Sequence, residues 1–125
     1  MAGKGRSQLF FTENFTANLD EIQSFLSDQG RLAFQRLLNR LFDDICSQLS
    51  RFPLSGRSFL GHHAGSAEAE ELIERVRDRL RPGDDLREFV VDDYVVLYLI
   101  RRTRIYFIAI KHHRQLSFDL RRFWS

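Results

Sequence analysis

The stretch that decides the fold is residues 85–114, DLREFVVDDYVVLYLIRRTRIYFIAIKHHR. It contains three runs rich in Val, Ile, Phe and Tyr, separated only by short polar spacers. β-Branched and aromatic residues favour extended backbone, and spacers this short leave room only for hairpins. The sequence therefore predicts an antiparallel meander with strands at 86–91, 94–100 and 104–110, ending in a Lys-His-His-Arg run.

The N-terminal part predicts a short strand followed by a helix. Residues 8–12 have the composition of a strand, and Thr16 or Asn18 is expected to cap the helix that follows. Apolar residues at helical spacing fall on one side of this helix, and Gly30 is expected to end it.

A second helix is predicted over residues 31–52, where apolar residues form one stripe and polar residues fill the other side. Pro53 would stop it, and the two helices would form a hairpin. A further helix over 68–80, ended by Pro82 and Gly83, would be inserted before the meander. The expected fold class is α+β, with the N-terminal strand and helical hairpin packed on the meander.

Length and composition predict a single domain over residues 1–125. A hydrophobic content of 43% with twelve Phe favours a packed core, and a single Cys suits a reducing compartment. Residues 1–7 are expected to be flexible, and 115–125 to form a tail or short helix. No apolar run approaches the length of a membrane span, so a cytoplasmic location is expected.

Charge is distributed unevenly along the chain. Residues 101–125 hold seven Lys or Arg and one acid, a local charge of +6, so the other hundred residues carry −4 because the chain totals +2. A basic C-terminal quarter predicts an acidic partner, either a nucleic acid or an acidic protein segment. The alternative is a solvated strand edge that its charges protect from aggregation.

No cofactor or metal ion is expected. The pairs His62-His63 and His112-His113 are adjacent in sequence, so their rings point in different directions along an extended chain. No spacing typical of a zinc site accompanies them. Cys46 follows a core position of the second helix, which favours inert packing over a nucleophile.

The order of these elements resembles the RelE/ParE superfamily of bacterial toxins from type II toxin–antitoxin systems. The resemblance covers roughly residues 8–114, apart from the insertion at about 60–82. The matching residues are Phe52-Pro53-Leu54-Ser55-Gly56-Arg57, Leu86-Arg87-Glu88-Phe89, Tyr94 with Tyr98, and Ile110-Lys111-His112-His113-Arg114. The resemblance implies a small fold neutralised by a cognate antitoxin. It also implies one of two activities, inhibition of DNA gyrase or ribosome-dependent cleavage of mRNA.

For a RelE-like endoribonuclease, the resemblance implies a catalytic set of Arg87, His112 and Arg114. Cutting RNA needs an acid, a base and cations near the phosphate, and imidazole and guanidinium groups can supply them. The sequence departs from the RelE-like pattern at two places. Val95 stands where many relatives have Arg, and Asp84-Asp85 stands just before the strand, where RelE-like enzymes have lysines. The structural alternative is that His112 and Arg114 only cap the end of the sheet, with Arg87 paired to Asp92, Asp93 or Glu88.

A ParE-like gyrase inhibitor needs only a stable fold and a protein-binding surface, and this is the preferred interpretation. A degenerate, non-toxic member that only binds its antitoxin is the remaining alternative. The antitoxin is expected to bring an acidic segment with apolar residues to exposed apolar and basic side chains. The predicted partner-binding residues are Phe10, Phe11, Arg101, Arg102, Arg104, Arg121, Arg122 and Trp124.

Overall fold

The computed structural model describes residues 7–26, 30–63, 65–115 and 118–120. The strands are β1 (Gln8–Phe11), β2 (Arg57–Ser58), β3 (Asp85–Val91), β4 (Tyr94–Arg101) and β5 (Arg104–His112). The helices are α1 (Glu13–Leu26), α2 (Arg31–Asn39), α3 (Cys46–Arg51), α4 (Phe59–His62) and α5 (Ala67–Val76). A π-helical segment (Arg40–Ile45) joins α2 to α3, and turns of 3-10 helix at Pro53–Ser55 and Arg77–Arg79 follow α3 and α5.

The strands form one five-stranded sheet in the order β1-β5-β4-β3-β2. Strands β3, β4 and β5 make the predicted antiparallel meander. The N-terminal strand extends it, because β1 pairs with β5 in parallel. The mixed α+β fold agrees with the predicted class, and the helix predicted at 68–80 is present as α5 with its 3-10 extension. None of the described helices has the length and apolar character needed to cross a membrane.

The two turns of the meander are tight because one residue in each adopts left-handed backbone. Asp92 has φ 52° and Arg102 has φ 58°. Asp adopts this region more readily than most residues, whereas Arg102 must be held there by the pairing of β4 with β5 on either side. The turns predicted at Asp92-Asp93 and at Arg101-Arg102-Thr103 are both present, although Arg101 belongs to β4 and the second turn is Arg102-Thr103.

The N-terminal helices, α1 to α3, cover one face of the sheet. The buried side chains of this layer are Phe15, Leu19, Leu37, Leu41, Ile45, Cys46 and Leu49 from the helices, and Val91, Val96, Tyr98, Ile105, Phe107 and Ile110 from the sheet. The helical hairpin therefore packs on the meander as predicted.

The opposite face of the sheet is covered by the inserted helices and by residues 118–120, which we call the C-terminal strap. Its buried side chains are Phe59, Leu72 and Val76 from α4 and α5, Phe118 and Leu120 from the strap, and Leu86, Val95, Leu97, Leu99, Ile108 and Ala109 from the sheet. Strands buried on both faces are apolar at nearly every position rather than at alternate ones, which explains the unbroken runs in β4 and β5.

The strap is anchored by buried asparagines on α1. The amide nitrogen of Asn14 donates to the Ile108 carbonyl at 2.9 Å and to the Asp119 carbonyl at 2.8 Å. The amide nitrogen of Asn18 donates to the Asp119 carbonyl at 3.5 Å, and its side-chain oxygen accepts from the Ile110 N–H of β5 at 3.1 Å.

Of residues 1–7, expected to be flexible, Ser7 is bound to the Ser50 carbonyl at 2.9 Å and residues 1–6 lie outside the described residues. Of the tail or short helix expected at 115–125, Gln115 and the strap are described and are not helical, and residues 116, 117 and 121–125 lie outside the described residues.

The expected caps of α1, Thr16 and Asn18, are wrong. The helix begins earlier, and the hydroxyl of Thr12 accepts from the Phe15 N–H at 3.2 Å in the usual N-cap geometry. Thr16 lies inside the helix, where its hydroxyl donates to the Thr12 carbonyl at 3.1 Å. Asn18 is buried, and its side chain binds the backbone of β5 instead of capping the helix.

The predicted helix over 31–52 is continuous but contains the π-helical segment. Its buried leucines and isoleucine, Leu37, Leu41, Ile45 and Leu49, are spaced by four residues. Four residues overshoot one α-helical turn by about 40°, so a regular helix would rotate this stripe away from the sheet. The wider π turn removes part of the rotation, and all four side chains stay in the core.

Candidate functional site

A cleft of about 870 Å³ opens between the helical hairpin and the end of the sheet where β5 finishes. Its lining residues are Asn18, Glu21, Ile22, Phe25, Leu26, Ala33, Arg36, Leu37, Asp92, Asp93, Tyr94, Ile110, His112, Arg114, Gln115 and Asp119. Phe25 stands at the helical spacing that predicts a core position on α1, but it is 88% exposed at this cleft. The cleft thus has an apolar helical wall facing a polar wall.

His112 and Arg114, two of the three candidate catalytic residues, both line this cleft. The Nδ1 atom of His112 accepts a hydrogen bond from the Arg114 backbone N–H at 3.1 Å. A neutral His112 therefore carries its proton on Nε2. Its ring lies edge-on to Tyr94 at 5.3 Å between centroids and stacks on His113 at 4.5 Å.

His113 fastens the same end of the sheet to the turn between β3 and β4. Its backbone N–H donates to the Asp93 carbonyl at 2.8 Å. Its Nδ1 atom lies 3.1 Å from the same oxygen, so Nδ1 carries a proton and donates. The two neighbouring histidines therefore take different tautomers when neutral, and only His112 lines the cleft.

The charged side chains of the cleft are mainly acidic. Four carboxylates, from Glu21, Asp92, Asp93 and Asp119, line it together with two guanidinium groups, from Arg36 and Arg114. Asp92 also lies 3.9 Å from the Nε atom of Arg40. A polyanion such as RNA is repelled by an excess of carboxylates, whereas a protein segment with apolar and basic side chains is not.

The third candidate, Arg87, is part of a different arrangement that we call the loop clamp (Pro53, Gly56, Arg87 and Tyr98). Arg87 donates through Nε to the Asp85 carboxylate at 2.8 Å and through Nη1 to the Gly56 carbonyl at 2.6 Å. The predicted pairing of Arg87 with Asp92, Asp93 or Glu88 is wrong. Asp85 precedes Arg87 by two residues and so shares its face of β3.

Tyr98 completes the loop clamp from the neighbouring strand. Its hydroxyl donates to the Pro53 carbonyl at 2.8 Å and accepts from the Gly56 N–H at 2.9 Å. Burial raises the pKa of Tyr98 to about 12, so the hydroxyl stays protonated. A Cβ atom on Gly56 would lie 2.5 Å from the Glu88 carbonyl oxygen and 2.5 Å from the Tyr98 hydroxyl, so only glycine fits there.

The sheet register places Arg87 far from His112. Arg87 is opposite Tyr98, and His112 is opposite Tyr94, four residues away on β4. That offset is about 13 Å along the strands, with about 10 Å across two strand spacings. The structure therefore brings His112 and Arg114 together but not Arg87.

Glu88 points to the other face of β3 and forms a buried ionic cluster there. Its carboxylate, 3% exposed, lies 2.9 Å from the Arg57 Nε atom and 2.7 Å from the His63 Nε2 atom. These contacts fix β2 and the end of α4 against β3. This cluster was not predicted, although one signal for it is in the sequence: Glu88 is an acid at a strand position that alternation places on the face opposite Arg87.

The predicted partner-binding residues divide into three groups. Phe10 and Phe11 of β1, and Arg102 and Arg104 beside it, are exposed. Arg101 is bound to Asp84 by two hydrogen bonds, at 2.7 and 2.9 Å, which lower the pKa of the Asp84 carboxyl and raise that of the guanidinium. The remaining three, Arg121, Arg122 and Trp124, lie outside the described residues.

The comparisons with known proteins agree with this architecture. Residues 9–117 match the family described as the ParE toxin of the type II toxin-antitoxin system, parDE. No curated protein matches the chain. The matched range runs from β1 past the end of β5 and includes the inserted helices, so it covers both the helical hairpin and the meander. The chain is therefore a member of the ParE family of type II toxin–antitoxin toxins, within the RelE/ParE superfamily.

Proposed function

We propose that this toxin acts in the bacterial cytoplasm by inhibiting DNA gyrase and that a cognate antitoxin neutralises it. The observation that carries the proposal is the loop clamp. Arg87, one of the two cations in the set that cleavage of RNA would require, is bound to Asp85 and Gly56 toward the end of β3 that lies far from His112. A toxin that acts by binding a protein needs no such cation near the histidine.

The cleft supports the same proposal through its chemistry. Its helical wall offers Ile22, Phe25 and Leu26, while carboxylates outnumber guanidinium groups among its lining residues. A surface of apolar side chains with mixed charges fits a protein segment better than a phosphodiester chain. Gyrase or the antitoxin would supply that segment.

Expression of the chain alone in bacteria tests the target. Gyrase inhibition predicts filamentous cells with an induced DNA-damage response, and purified chain should inhibit supercoiling by purified gyrase. A relaxed-plasmid substrate with the gyrase protein omitted is the control. Unimpaired supercoiling at a molar excess of folded chain would refute the gyrase target.

A ribosome-dependent endoribonuclease is the second candidate, and the shared position of His112 and Arg114 in one cleft favours it. The variant His112→Asn separates the two functions, because an Asn side-chain oxygen can still accept the Arg114 N–H while no titratable group remains. Loss of a general acid or base should slow cleavage about 10²–10⁴-fold. We expect toxicity to persist in His112→Asn, and rapid translation arrest with cleaved messages that the variant abolishes would support the nuclease instead. Normal growth on expression of a folded, unmodified chain would indicate a degenerate member.

A further inference from the structure

The outer edge of β1 combines outward-pointing backbone groups with exposed apolar side chains, the features on which another strand can pair. We propose that it accepts an extended segment of the antitoxin as a sixth strand of the sheet. This inference rests on the proposed neutralisation by an antitoxin and adds where and how that partner binds.

The backbone of β1 has hydrogen-bonding groups on its outer side. Its inner amides point toward β5, as shown by Gln8 donating to the Thr103 carbonyl at 2.8 Å and Thr12 donating to the Phe107 carbonyl at 3.1 Å. Alternation along a parallel strand then directs the N–H and C=O groups of Leu9 and Phe11 outward. The outward amide of Ser7, just before the strand, is bound to the Ser50 carbonyl at 2.9 Å. Within the described ranges, the Leu9 and Phe11 amides have no such partner.

The side chains of β1 lack the features that usually protect a sheet edge. The strand reads Gln-Leu-Phe-Phe, with no charge, no Pro and no Gly. Phe10 is 38% exposed on one face and Phe11 is 40% exposed on the other. Exposed apolar edge strands pair with other chains unless charges, bulges or covering elements prevent it.

The opposite edge of the same sheet, β2, is protected against pairing with another chain. Strand β2 has only two residues, one of them the charged Arg57, and α4 begins directly after it. The Ser58 hydroxyl accepts from the Gly61 N–H at 3.1 Å, which turns the chain away from the sheet. The difference between the two edges indicates that β1 is left open for a partner.

The surroundings of β1 define the segment that would fit. Phe10 stacks on Tyr106 at 5.2 Å, and the Arg104 guanidinium lies 5.7 Å above the Phe10 ring. On the other face, Phe11 lies 5.4 Å from the exposed Phe42 ring. A matching strand would carry apolar side chains on both faces and a carboxylate at the end that meets Arg104 and the neighbouring Arg102.

Amide hydrogen exchange on the full chain, with and without the product of the adjacent gene as the antitoxin probe, tests this directly. Strand addition predicts that the Leu9 and Phe11 amides exchange fast in the free chain and become protected in the complex. The Phe10 amide points inward and should be protected in both states, so it is the internal control. Unprotected Leu9 and Phe11 amides in a complex that neutralises toxicity would overturn the inference and leave the proposed function standing.

Two other outcomes would also count against strand addition. Protection of both amides in the free chain, together with a dimeric mass, would assign the edge to a second copy of this chain. Failure of the adjacent gene product to bind or to neutralise the chain would overturn the proposed neutralisation itself, and the inference with it.

Variants give an independent measurement. Phe10→Ser removes apolar contact area from the edge and should weaken antitoxin binding about 10- to 100-fold. Val90→Ser is the matched control, because Val90 is 51% exposed on β3, an inner strand of the sheet. Equal affinities for Phe10→Ser and Val90→Ser would overturn the inference, and circular dichroism of both variants confirms that they are folded.

Discussion

Removing one oxygen atom from the loop clamp tests how the loop after α3 is attached to the sheet. The substitution Tyr98→Phe keeps the ring, which is fully buried. It deletes the donor to the Pro53 carbonyl at 2.8 Å and the acceptor for the Gly56 N–H at 2.9 Å. The Gly56 N–H would then be buried without a partner.

The expected loss follows from these two bonds. An intramolecular hydrogen bond contributes about 0.5–1.5 kcal/mol net, and an orphaned buried donor costs about 1–3 kcal/mol. We expect the free energy of unfolding to fall by about 2–3 kcal/mol. For a chain of 125 residues each kcal/mol shifts the melting temperature by about 4 °C, so Tm should fall by roughly 8–12 °C.

Denaturant and thermal unfolding, followed by circular dichroism, measure the loss. Tyr94→Phe is the matched control: within the described residues its hydroxyl makes no hydrogen bond, so its effect should stay within about 0.5 kcal/mol. A Tyr98→Phe variant as stable as the Tyr94→Phe control would refute the prediction that the two hydrogen bonds of the Tyr98 hydroxyl stabilise the fold.

Three further predictions concern other buried polar groups. Asp84→Asn should cost about 1–3 kcal/mol at neutral pH. Arg101 holds the Asp84 pKa below its usual 3.8, so the carboxylate stabilises the fold fully above about pH 4 and progressively less as the pH falls through the lowered pKa. The stability difference between the variant and the parent chain should therefore shrink in acid. A difference that stayed constant would contradict a stabilising Asp84–Arg101 pair. Burial raises the pKa of Cys46 to about 11, so a thiol reagent should label the native chain no faster than it unfolds, and rapid labelling in native buffer would be inconsistent with that burial. Asn14→Ala should cost about 1–3 kcal/mol and speed proteolysis of the C-terminal strap in particular, whereas unchanged strap cleavage would show that Asn14 does not anchor it.

The meander could be predicted from sequence because its signals are local. Runs of β-branched residues and two polar turns specify antiparallel neighbours without reference to the rest of the chain. The parallel pairing of β1 with β5 joins residues almost a hundred positions apart, and no local pattern specifies such a pairing. The π-helical segment was also missed, because the apolar stripe reads equally well as a regular helix.

The candidate site was predicted in part. His112 and Arg114 share the cleft because they lie together at the end of β5, which sequence proximity alone suggests. The partner of Arg87 was misassigned although a signal existed, since Asp85 lies two residues away and alternation puts both on one face. The helical wall of the cleft could not be foreseen, because hydrophobicity alone does not distinguish the exposed Phe25 from a core residue.

The π-helical segment between α2 and α3 has a consequence for insertions and deletions. A π-helical segment holds one residue more than the α-helix that it replaces, so loss of one residue from Arg40–Ile45 would allow regular α-helix throughout and leave α3 in nearly its present rotational phase. Gain of one residue, or loss of a second, would instead rotate α3 by about 100° relative to α2. That rotation would move Ser50 away from the Ser7 amide that it binds at the start of β1. The π-helical segment therefore absorbs one surplus residue, so loss of a single residue there should be tolerated, whereas an inserted residue should detach the end of α3 from the edge strand.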